Sequence, residues 1–111
     1  METILFDDWK KLALRVGRVL EVERVPKTEK LYRLQVEVGF ERPIQIVTSL
    51  VPYYGADQLL GRSIVVLTNL KPTKFAGQVS EGMLLCAETE DGSTCVLLGP
   101  QEPVPAGTPI T

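Results

Sequence analysis

Between residues 69 and 87 the chain reads NLKPTKFAGQVSEGMLLCA, and this stretch holds the side chains best suited to gripping a charged, flat ligand. Lys71 and Lys74 bring two ammonium groups, and each lysine that meets a phosphate displaces a condensed counterion. Asn69 offers its amide to a base edge or sugar, or else it shapes the turn before Pro72. Ser80 offers a hydroxyl to a phosphate or 2′-OH, or else it closes a turn. Met83 presents a soft thioether on which a base can lie, or else it fills the core. Phe75 is the one aromatic of the segment, and Gly77 and Gly82 serve backbone geometry.

Little else in the chain offers chemistry. There is no histidine, which removes the commonest general base and the usual partner of a serine or cysteine nucleophile. No glycine-rich phosphate loop is present. Asp7 and Asp8 adjoin one another, but in an expected terminal helix. Cys86 and Cys95 are the only cysteines. Two such ligands fall short of the roughly four that a structural zinc site needs, and the pair reads as buried thiols without a disulfide. The reading is a binding protein with no catalytic residues, no metal and no cofactor.

The net charge of −2 hides a gradient. All 12 Lys and Arg lie in residues 1–74 beside 9 acids, a balance of +3, while residues 75–111 carry 5 acids and no Lys or Arg, a balance of −5. Phosphate responds to the local field and not to the mean. With 111 residues, 44% apolar and 23% charged, the chain fits one soluble globular domain spanning 1–111. No run approaches the ~20 apolar residues of a membrane helix. The acidic N-terminus is unlike a signal peptide, so the expected location is cytoplasmic, with no membrane partner.

These residues need a scaffold. Apolar positions at 5, 6, 9 and 12 space a short helix, with Trp9 as its anchor to the body. Strands are expected over 14–25, with a bulge or bend at Gly17 and Arg18, and over 31–39, where Tyr32, Leu34, Val36 and Val38 share one face. Further strands are expected over 44–50, 64–69, 83–88 and 95–98, with a turn at Asp91 and Gly92. Pro52 opens a short helix that Gly61 closes. The proline-rich tail is extended, against the body or a partner chain. Short strands with one helix between the third and fourth predict an all-β fold, a five-stranded OB-fold barrel; that helix weighs against an SH3-like barrel.

The sequence resembles the small tRNA-binding domains of the endothelial-monocyte activating polypeptide type, which also form the C-terminus of many methionyl-tRNA synthetases. The resemblance runs through LRVGRVLEVE at 14–23, EKLY at 29–32, QVEVG at 35–39, VTSL at 47–50, Tyr53 with Tyr54, Leu60 with Gly61, the 69–87 segment and VPAG at 104–107. It looks most like the free-standing dimeric members. The resemblance implies tRNA as the ligand and a homodimer, with 1–12 and 99–111 as pairing elements and an aminoacyl-tRNA synthetase as a further partner. It also brings Lys30 to the site and marks Ser80 and Met83 as positions tied to tRNA contact. Arg33 either extends the cationic patch or pairs with a glutamate across the strands. The low aromatic content of 6% favours recognition of a folded RNA's shape over reading of successive bases. The competing reading is a peptide-binding chaperone of the export-related CsaA type, which shares the fold.

Overall fold

The first strand, β1 (Leu14–Arg24), is long enough to serve two neighbours. In the computed structural model, which describes residues 1–111, its first half pairs antiparallel with β4 (Ser63–Leu67). Its second half pairs with β2 (Tyr32–Glu37). β3 (Ile44–Thr48) lies beyond β2 and β7 (Met83–Leu84) beyond β4, giving the order β3-β2-β1-β4-β7. The sheet curls until β3 meets the chain leading into β7. There the Glu81 amide donates to the Gln45 carbonyl at 2.7 Å and the Gln45 side chain donates to the Val79 carbonyl at 2.8 Å. The result is a nearly closed five-stranded antiparallel barrel of OB type.

Alternation along β2 explains why the sheet has an inside. Tyr32, Leu34, Val36 and Val38 are buried, and the residues between them are half-buried. They pack with Ile46, Leu59, Ile64 and Val66 in one apolar cluster, and each such burial contributes about 1.5–3 kcal/mol. The expected irregularity in β1 resolves into two features. At Gly17 a Cβ would stand 2.7 Å from a Val36 methyl, so glycine there answers close packing. The register shift comes slightly later, between Val19 and Glu21.

Helical content is smaller than the spacing predicts. The helix between β3 and β4 is only α2 (Ala56–Leu59), following a turn at 51–53, with Leu59 fully buried. The N-terminal helix α1 (Phe6–Trp9) buries none of its residues. Trp9 stays 39% exposed and is not the expected anchor. Hydrogen bonds from the chain after β4 hold this end instead: the Ala13 amide donates to Asn69 Oδ1 at 3.0 Å, and Asn69 Nδ2 donates to the Lys11 carbonyl at 2.6 Å.

Two hairpins complete the chain. β5 (Thr73–Phe75) and β6 (Gln78–Ser80) were not signalled by the sequence, which shows a loop there. Ala76 and Gly77 join them at φ +50° and +79°, the signs a tight two-residue hairpin turn requires. β8 (Cys86–Glu88) and β9 (Cys95–Leu97) form the other, so the expected strand over 83–88 divides at Leu85. The tail lies against the body. The Val16 amide donates to the Thr108 carbonyl at 2.9 Å, and Gly107 and Ile110 donate to Val16 and Leu14 at 2.7 and 2.9 Å. The crossing works because Gly39 and Gly107 meet back to back: a Cβ on Gly107 would fall 2.8 Å from the Gly39 Cα. No helix is long and apolar enough to cross a membrane.

Candidate nucleic-acid interface

The β5–β6 hairpin carries different chemistry on its two faces. Side chains alternate along a strand, so Thr73 and Phe75 look one way and Lys74 the other. Phe75 lines a depression of about 180 Å³ with Leu31, Val47, Thr48, Ser49 and Met83. Lys71 and Lys74 are exposed. The chain's ion pairs join Lys10 to Asp7, Lys11 to Asp8, Arg33 to Glu23 and Arg42 to Glu81, so no acid lies within 4.0 Å of Lys30, Lys71 or Lys74. Their charge is open to an anionic ligand.

A larger depression of about 290 Å³ continues from the first and shares Thr48, Ser49 and Met83 with it. Lys30, from the β1–β2 connection, joins its lining with Tyr53, Cys86, Cys95 and Glu88. Met83 is half-exposed, lies outside the buried cluster and opens onto both depressions, so it is not a core methionine.

Other expected contacts are committed within the protein. Ser80 is 3% exposed. Its hydroxyl accepts from the Val47 amide at 3.0 Å and donates to the Gly82 carbonyl at 2.9 Å, which pins β6 to β3. Asn69 uses both ends of its amide on residues 11 and 13 instead of a turn before Pro72. Arg33 stands opposite Glu23 in the β1–β2 register and pairs with it, and its other nitrogen donates to Gln78 at 3.1 Å. Thus Arg33, on β2, braces the hairpin that carries Lys74.

Sequence reasoning missed Glu81. Its carboxylate accepts from Arg42 at 2.7 and 3.2 Å and from the Gln45 amide at 2.9 Å. The hydrogen bond with Arg42 is the main reason its carboxyl sits below the usual range. The thiols Cys86 and Cys95 are free and half-buried, not fully buried. They lie diagonally across β8–β9, since Cys86 faces Leu97 and Cys95 faces Glu88. Burial first, then a hydrogen bond with Cys95, pushes the Cys86 thiol up to about 12.

A small open-faced barrel with uncompensated lysines beside a shallow apolar surface defines a binding domain of OB type. The family described as "Putative tRNA binding domain" matches residues 14–109, and the chain belongs to it. The matched region is a non-catalytic one. The chain is 48% identical over 109 residues to the methionine–tRNA ligase of Methanocorpusculum labreanum, and 41% over 110 residues to that of Methanosarcina mazei. These matches cover 98% and 99% of the chain but only 16% and 15% of the ligases, so the chain spans about a sixth of their length. Among solved structures, a methionyl-tRNA synthetase related protein from Pyrococcus horikoshii superposes with a TM-score of 0.92 at 37% identity, covering all of both chains. The chaperone CsaA from Bacillus anthracis gives 0.88 at 32%, covering 99% of this chain and all of that one.

Proposed function

We propose that this domain binds tRNA by its shape, in the cytoplasm, as a homodimer, and that it assists an aminoacyl-tRNA synthetase in trans. The observation that carries the reading is the pair Lys71 and Lys74, exposed and uncompensated just before and on a hairpin whose other face closes an apolar depression. In this reading Lys71, Lys74 and Lys30 meet the phosphate contour, and Met83 meets a base or ribose. Arg33, Asn69 and Ser80 hold the elements that carry them. The tRNA assignment is supported by family membership and by the ligase relatives. The dimer is supported by the groove of about 490 Å³ that Phe6, Trp9, Lys10, Leu12, Ile110 and Thr111 leave open between α1 and the tail.

A mobility-shift titration across salt tests it. The wild-type chain is expected to bind tRNA with an affinity that falls as salt rises. A Lys71→Ala, Lys74→Ala chain is expected to lose affinity at least tenfold at low salt, and its log–log salt slope should shrink by about one to two. Full affinity in the double variant at low salt would remove the site. The likeness to CsaA supports one other reading, a peptide-binding chaperone. Saturable binding of an unfolded polypeptide with no binding of tRNA would favour that reading.

A further inference from the structure

Deepening the tRNA-binding reading, on which it rests, we propose that the depression under the β5–β6 hairpin is a subsite for one unstacked nucleotide. In it Phe75 and Met83 sandwich the base, and the Thr48 and Ser49 hydroxyls meet the base's polar edge. Shape recognition alone needs only cations along a surface. This hairpin adds a half-open apolar slot.

The slot has a floor, two walls and a polar rim. Val47, only 1% exposed, forms the floor, and Leu31 stands beside it. Phe75 is 37% exposed and lines the slot. Met83 supplies a polarizable surface of the kind that packs well against aromatic rings. Thr48 and Ser49 are on the open side, and neither hydroxyl is engaged by the protein. Such groups at the rim of an apolar slot select a flat ligand with hydrogen-bonding edges over a purely apolar one.

Size and charge point to the same occupant. About 180 Å³ is below the roughly 300 Å³ at which pockets for drug-sized ligands begin, so the slot takes a single ring system. The adjoining depression of about 290 Å³ has room for the attached ribose and phosphate, with Lys30 in its lining. Glu88 is the one acid in either lining and repels phosphate at its own end. Lys74 points away from the slot and meets the backbone on the far face of the hairpin. A base inside and phosphates outside would clamp the hairpin from both faces. The RNA this selects has an unpaired nucleotide that can swing out; a continuous duplex has none.

The test compares bulk tRNA with a blunt RNA duplex that lacks unpaired nucleotides, using the full chain. Phe75→Ala is expected to weaken tRNA about tenfold or more, the loss of one base–aromatic stack. It should leave the salt slope and the duplex affinity unchanged. Phe75→Trp is expected to keep tRNA affinity, and the emission it adds to that of Trp9, read as the difference from the wild-type chain, should be quenched by tRNA and not by duplex. An unchanged tRNA affinity in Phe75→Ala overturns the subsite. So does an equal loss on tRNA and duplex, or quenching by an unfolded polypeptide but not by tRNA. In each of these cases wild-type binding to tRNA still stands as a separate result. A wild-type chain that binds neither RNA removes the broader reading together with the subsite.

Discussion

At the scale of single residues, type was legible and commitment was not. Lys71 and Lys74 read as free cations because nothing nearby in sequence neutralises them, and the structure leaves them unpaired. Ser80 and Asn69 sit in the same segment, yet Asn69 spends both ends of its amide on distant backbone at residues 11 and 13, and Ser80 accepts from the distant Val47 amide. No local pattern encodes those partners. Cys86 shows the same limit, since its chemistry comes from burial, and then from Cys95 beside it, and not from spacing. With its thiol pushed up to about 12, Cys86 remains protonated across the physiological range. Iodoacetamide labelling followed by mass spectrometry should find it slow at pH 8, with a rate that climbs only in strong alkali. Labelling as fast as in the urea-unfolded chain would contradict this. The linkage follows in sign: an unfolded thiol ionises near 8.5, below the folded one. The stability it contributes is complete below that pH and is lost as pH rises toward 12.

Elements were legible wherever burial alternates. β2 announced itself because every second residue from Tyr32 to Val38 is apolar. The β5–β6 hairpin did not, because Thr73–Phe75 is exposed and its turn is Ala76 with Gly77, not the commoner Asn or Asp with Gly. Helix α1 was legible as a helix but not in how it is held. Its apolar residues touch no core, so hydrogen bonds must fix its approach. Beside the bonds of Asn69, the Thr68 amide and hydroxyl both donate to the Ala13 carbonyl, at 3.0 and 2.8 Å. Asn69→Ala removes two links to residues 11 and 13. It is expected to cost about 1–2 kcal/mol, and to raise hydrogen exchange at Ala13 while the amides of β2 keep their protection. Unchanged exchange at Ala13 would mean that Thr68 alone suffices.

For the whole molecule, the barrel was readable from strand count and the placement of α2, and the closure was not. Closure depends on Glu81 reaching Arg42 and Gln45, contacts between segments nearly forty residues apart. The outer surface carries its own signal in the apolar side chains Ile4, Leu5, Phe6, Trp9 and Leu12, all exposed around α1. In the proposed homodimer this patch is the pairing surface, which a twofold pair would bury against itself. Sedimentation velocity should show the wild-type chain as a dimer. Ile110→Asp, at the edge of the groove, is expected to shift it to monomer while the melting of the barrel stays cooperative. A monomeric wild-type chain at micromolar concentration would refute the pairing. The meeting of Gly39 and Gly107 has one last consequence. By letting the tail settle along the front of β1, it occupies main-chain groups of Leu14 and Val16 that would otherwise form a bare margin. Bare margins recruit strands from other molecules, so two absent methyl groups also guard the protein against clumping.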